Sequence, residues 1–246
     1  MKFNTGLRII LFCSFPLISI FFMGCQKKED TIIVQKLLEM ESPEYTSAKP
    51  TDARIQELSK EVRKYKSLVE EKVQATDKLL TYYRMLALAY MDRGMYGPAL
   101  QALDEAIRIS PEQAPLFLYR AISAARLAKG IVERSEQQRL WEEAERAYLR
   151  CLEIDSQYVD ALYGLSILYV FEWEEPRKAI PYLQRLLTRQ TNHVGGMFLL
   201  ARAYASLGNL EDALAMYDRI INTPVAGNKR DEARKLKEEL LRRVAR

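Results

Sequence analysis

The stretch from Thr81 to Pro111, TYYRMLALAYMDRGMYGPALQALDEAIRISP, constrains this chain more than any other. Its apolar residues recur every three or four positions on both sides of Asp92–Gly94, which predicts two amphipathic helices joined by a turn. Ala87 and Ala99 stand where the two helices have to approach closely. A hairpin this short cannot bury its apolar face alone, so the fold depends on whether the unit recurs. It does. A shift of 34 residues brings Tyr83 onto Phe117, Ala87 onto Ala121 and Tyr90 onto Ala124. The second half of that copy stands 45 residues on, as Ala144, Tyr148, Cys151 and Ser156. Eleven extra residues therefore fall around 129–139 (KGIVERSEQQR), a charged segment expected to form a protruding loop or extended helix ends. A third copy carries Leu162, Leu165, Ser166 and Tyr169, then Ala179, Leu183 and Leu186, with one residue too many near Trp173. A fourth is clean, with Met197, Leu200, Ala201 and Tyr204, then Ala213, Tyr217 and Ile220.

Tyr83, Leu86, Ala87, Tyr90, Gly94, Ala99, Leu103, Ala106 and Pro111 resemble the signature of the tetratricopeptide repeat (TPR). The resemblance covers roughly residues 80–225, in four copies. It implies an all-α solenoid of helical hairpins, with small residues at the crossings and capping helices at the ends. Composition agrees. Gly and Pro number only 10 and 9, no alternating strand pattern is evident, and 48% hydrophobic with 28% charged residues is ordinary for a globular protein.

Outside the repeats, the N-terminus reads as an address. Lys2 and Arg8 make a positive region, and Ile9–Met23 an apolar core shorter than the ~20 residues of a membrane span. Phe22-Met23-Gly24-Cys25 follows and resembles a bacterial lipobox. Gly24 and Cys25 fit it, whereas Phe22 and Met23 depart from the usual Leu and small residue. The resemblance implies a leader over 1–24, and lipid (diacylglycerol, with palmitate as a typical acyl chain) on Cys25. Residues 25–50 read as a tether containing the apolar segment Ile32–Met40. A leading helix is expected over 51–79, capped by Thr51 or Asp52, with Ile55, Leu58, Val62, Tyr65, Val69 and Val73 on one face. Thr76-Asp77 is expected to break it from the first repeat. Pro181 predicts a kink or a late helix start. Residues 226–246 read as a C-terminal capping helix, with Ala233, Leu236, Leu240 and Val244 on one face.

No residue pattern points to catalysis. His193 is the only histidine and has no partners at ligand spacing, and Cys151 is the only cysteine left once Cys13 and Cys25 are set aside. No phosphate-binding, zinc-protease or serine-hydrolase motif is present. The expectation is a non-enzyme with no cofactor and no metal. The formal charge of +4 halves when Lys2 and Arg8 go with the leader, too little to imply nucleic acid.

In TPR families the first helix of each repeat lines a groove. That stripe falls here on Arg84, Leu88 and Met91; Leu118, Ile122 and Ala125; Tyr163, Ile167 and Val170; and Phe198, Arg202 and Ala205. It is apolar with arginines at its edges, and it has no Asn for a clamp on a peptide's terminal carboxylate. The implied function is a membrane-anchored adaptor or assembly factor of the bacterial envelope. It would sit extracytoplasmically on a periplasmic face and grip a protein or peptide partner. The alternative is a component that binds a small hydrophobic ligand for a transport system.

Overall fold

The structure, a computed structural model, describes residues 51–244. The leader, Cys25 and the tether lie outside the described residues. Among those described, all regular structure is helical. In order come α1 (Asp52–Asp92), α2 (Tyr96–Ile109), α3 (Ala114–Ala128), α4 (Arg134–Ile154), α5 (Val159–Ile167), a π-helical turn (Leu168–Glu172), α6 (Pro176–Arg189), α7 (Val194–Ser206), α8 (Leu210–Asn222), a 3-10 turn (Pro224–Ala226) and α9 (Lys229–Val244). The chain divides at Leu68–Val69 into two units. The described part of the first is the opening of α1. Everything else belongs to the second, where the end of α1 with α2, α3 with α4, α5 with α6 and α7 with α8 form four hairpins, and α9 follows.

Each helix from α2 to α8 packs on its successor. The crossing residues explain how. Ala87 and Ala99, Ala121 and Ala144, Ser166 and Ala179, Ala201 and Ala213 are all completely buried. At these positions only a small side chain lets two backbones approach. Ser166 keeps its hydroxyl satisfied by donating to the Leu162 carbonyl at 2.7 Å. Around the crossings Leu103, Leu162, Leu183, Leu186, Met197 and Ile220 fill the gaps between hairpins. Each contributes roughly 1.5–3 kcal/mol by leaving water. The turns after the first helices of repeats one and four are matched. Gly94 (φ +71°) and Gly208 (φ +78°) hold the left-handed position that other residues adopt at a cost. The N–H of the next residue bonds back to Tyr90 and Tyr204 respectively, closing the helix end.

Of three local expectations two change, and the insertion takes one of its two expected forms. α1 does not break at Thr76-Asp77. The Thr76 hydroxyl bonds the Lys72 carbonyl and the Thr81 hydroxyl bonds that of Asp77, both at 2.9 Å, so these threonines are satisfied inside the helix. Thr51 caps its start, accepting from the Arg54 N–H at 3.3 Å. The face expected to be apolar is present, with Ile55, Val62, Tyr65, Val69 and Val73 exposed. Second, the insertion becomes a short connector and a longer helix. Tyr96, which opens α2, corresponds to Trp141, yet α4 begins about two turns earlier, at Arg134. Glu133 makes this possible by accepting from the N–H groups of Ser135 and Glu136 at 3.1 and 2.8 Å. The same bonds, the Ser135 hydroxyl foremost, hold its carboxyl below the usual carboxylate range. Third, α6 starts five residues before Pro181, at Pro176, so the start is not late. Pro181 and Arg177, whose carbonyl loses the bond, both lie on the exposed side.

The surplus residue near Trp173 is absorbed without breaking the helix. Leu168–Glu172 widens to a π turn, and the Trp173 N–H bonds the Leu168 carbonyl at 3.0 Å. Trp173 then meets Trp141 of the lengthened α4 edge-on, with ring centroids 5.9 Å apart.

Cys151 is a core residue. Burial pushes its thiol up to about 12, helped by the charge of Asp155. The fold therefore favours the protonated form. The stability this gives is complete below pH 9.0 and is lost as the pH rises from 9.0 towards about 12. In native protein at pH 8, iodoacetamide is expected to leave the Cys151 peptide unmodified in mass spectra. It should modify that peptide fully once the chain is unfolded in urea. Fast native labelling would show that the thiol is not enclosed.

Candidate functional site

A cavity of about 450 Å³ lies between the first helices of repeats two and three. Ile122 and Ala125 of α3 form one wall, and Tyr163 and Ile167 of α5 with Leu168 of the π turn form the other. Tyr148 comes up from α4 as the floor. Gly164 lets it in, because a Cβ at that position would stand 2.6 Å from Cε1, Cζ and Oη of the Tyr148 ring. Burial raises the Tyr148 phenol above its usual value, so it stays protonated. Its hydroxyl makes no hydrogen bond among the described residues. At the rim, Lys129 Nζ meets Glu172 Oε1 at 3.1 Å, and Arg126 and Asp160 add one charge of each sign.

A second cavity, of about 550 Å³, repeats this plan. Arg202, Ala205 and Ser206 of α7, with Tyr217 of α8, stand where Ile122, Ala125, Arg126 and Tyr148 stand in the second repeat. Leu236 and Leu240 of α9 close it. The terminal helix thus takes the place of a fifth repeat's first helix. Arg202 also lies over the ring of exposed Phe171, 4.7 Å from its centroid, so the π turn of repeat three reaches repeat four. A contact of this kind is worth about 0.5–1 kcal/mol at an exposed site.

The sequence-predicted stripe is therefore only partly brought together. Ile122, Tyr163 and Ile167 share the first cavity, and Arg202 lines the second. Phe198 lines neither and packs edge-on to Tyr217, at 6.4 Å. Arg84, Leu88 and Met91 line neither, and Arg84 and Leu88 are exposed. Leu118 is corrected from groove to core. It is 4% exposed and lies in the larger core, in the same cluster as Ala144 and Cys151. Val170 is likewise buried. Two site residues escaped the stripe because they are not on it. Tyr148 reaches the cavity from a second helix, and Gly164 acts through the side chain it lacks.

The two residues with reactive side chains have structural tasks. His193 Nδ1 accepts from the Gly196 N–H at 2.8 Å and caps α7, with its ring 4.9 Å from that of Tyr163. Cys151 is enclosed as described. Among the described residues no group of three or more His, Cys, Asp or Glu is placed to hold a metal ion.

Family models described as tetratricopeptide repeat match residues 80–113 and 174–240. A TPR repeat-containing protein of Borreliella burgdorferi is 24% identical over 200 residues, covering 80% of this chain and 85% of that one. The TPR repeat-containing protein YpiA of Bacillus subtilis is 30% identical over 136 residues, 55% of this chain and 29% of its own. Among solved structures, TTC0263, a thermophilic TPR protein of Thermus thermophilus, matches with TM-score 0.53 and 19% identity, over 72% of this chain and 87% of that one. MamA matches with TM-score 0.52 and 18% identity, over 68% and 88%. The solved structures share the fold. The chain carries tetratricopeptide repeats, a fold suited to protein–protein interaction.

Proposed function

We propose that this chain is an adaptor that captures a segment of a partner protein in the cavity between α3 and α5, while a lipid on Cys25 holds it at a bacterial envelope membrane. The capture reading is carried by the cavity. Its walls are apolar, its rim bears both signs of charge, and it is a cleft rather than a sealed void. That shape suits a chain with a bulky side chain to insert, such as an amphipathic helix or an extended peptide. It suits an enclosed small hydrophobic molecule less well. The anchoring reading is carried by residues 1–25, where charge, apolar core and Gly24-Cys25 fall in the order a lipoprotein leader requires.

Each part has its own test. Ile122→Glu with Ile167→Glu places two charges on half-buried cavity walls and leaves the crossings untouched. Crosslinking in the native envelope is expected to lose its partner adducts while the helical circular dichroism stays unchanged. Adducts that persist would move the site off this cavity. For the anchor, Cys25→Ser is expected to abolish incorporation of a palmitate analogue and to leave the chain unprocessed. Unchanged labelling would remove Cys25 from the reading. Two or more acyl chains suffice for stable attachment at ~0.8 kcal/mol per buried CH₂.

A further inference from the structure

The face of α1 that includes Leu79, Tyr82, Met85 and Leu86 is apolar and open to water, with Tyr82 65% and Leu86 43% exposed. The repeat register shows what this face is built for. Tyr82 corresponds to Leu116, Ala161 and Gly196 in repeats two, three and four, and Leu86 corresponds to Arg120, Leu165 and Leu200. Leu116, Ala161 and Leu165 are 0% exposed and Leu200 is 3%. Gly196 is buried, and Arg120 bonds Asp104 of the preceding hairpin at 2.8 Å. In each later repeat the preceding hairpin covers this face. Among the described residues the first repeat has the same face without that cover.

The order of residues along the face identifies what fits it. Taken every three or four positions, it reads Glu71, Ala75, Leu79, Tyr82, Leu86, Ala89, and then Arg93 in the turn that follows α1. In size the series is nearly symmetric about Tyr82, and in charge it is opposite at its two ends. We infer that this face docks a second copy of the chain, with the two α1 helices antiparallel about a two-fold axis at Tyr82. In that arrangement Leu79 meets Leu86 of the second copy. Ala75 meets Ala89 and lets the backbones close. Glu71 meets Arg93 at both ends, as an isologous interface requires. Glu71 and Arg93 are exposed, and neither is in an ion pair among the described residues. A parallel pair would instead set Glu71 against Glu71 and Arg93 against Arg93, and like charges face to face select against it. Four large, half-exposed side chains give roughly 400–500 Å² per copy, against ~800 Å² in a standard interface, so the pairing is weak and reversible.

A photo-crosslinking amino acid placed at position 82 of the full chain, in cells, tests this. The expected product is an adduct of two chains, with the crosslink mapped to residues 79–86 of the second copy. The same group at position 84, two residues on and off this face, is expected to give no such adduct. Glu71→Arg or Arg93→Glu should each lower the two-chain yield about fivefold, and the double variant should restore it. Several results would overturn the inference. These are adducts only within one chain to residues before Thr51, adducts only to other proteins, no adduct, equal yields from positions 82 and 84, or a yield indifferent to both charge reversals.

Discussion

Gly164→Ala is expected to destabilise the protein by about 1–3 kcal/mol, the usual cost of forcing atoms into a packed core. The sign is the informative part. In the interior of an exposed helix the same change is favourable by about 0.8–1 kcal/mol, because alanine loses less backbone freedom than glycine. Here the new methyl would stand 2.6 Å from three atoms of the Tyr148 ring. That ring is 4% exposed, so it can yield only into the cavity that it floors, at a loss of its packing against α3 and α5. Urea unfolding of a double-mutant cycle with Tyr148→Leu isolates the cause. Tyr148→Leu alone loses packing and is destabilising. On that background Gly164→Ala is expected to become neutral or favourable, because nothing is left for the methyl to meet. A Gly164→Ala cost that persists without the ring would place the conflict elsewhere. The same cycle bears on function. If Gly164 is kept so that Tyr148 can floor the cavity, Gly164→Ala should also weaken partner crosslinking, even in protein that remains folded.

Much of the fold was legible because repeat spacing fixes which residues meet. Ala87, Ala121, Ser166 and Ala201 were placed at crossings from the spacing alone, and all are completely buried. The surplus residue near Trp173 and the eleven around 129–139 were countable. Their structural outcome was not, because a π turn and a two-turn helix extension are equally consistent with such counts. The Thr76-Asp77 break was misread because threonine and aspartate compete for backbone hydrogen bonds in general. Whether they do so inside a given helix depends on where the hydroxyl turns, and here it bonds back to Lys72. The groove was half legible for a similar reason. Periodicity assigns residues to a face, yet Leu118 and Ile122 are one turn apart on α3, and the first is buried in the core while the second is left half open. Gly164 left one usable signal, a glycine in the middle of a well-formed helix pattern, which implies close approach by a neighbour.

Leu116→Ala is expected to cost about 2.7–5 kcal/mol, and the loss should appear in one part of the molecule first. Leu116 lies on α3, yet it belongs to the core of the first repeat, with Leu80, Ala87, Ala102, Leu103 and Ala106. Most of the other buried apolar residues, from Ala114 to Leu240, form a second and larger core. Tyr119 packs against both. In a repeat array, stability is the sum of each unit and its junctions with its neighbours, so a hole at one junction releases the unit beyond it. Native-state hydrogen exchange read peptide by peptide is expected to show protection falling across α2 while α5 to α8 keep theirs. Leu183→Ala, in the larger core, should instead lower protection across repeats two to four. Uniform loss in Leu116→Ala would mean that the first repeat is held by contacts other than this junction. The comparison also calibrates the end of the array. Leu116 fills in the second repeat the position that Tyr82 fills in the first. The protection lost from α2 therefore measures what a covered side chain at that position is worth, and so the gain open to any chain segment that covers Tyr82.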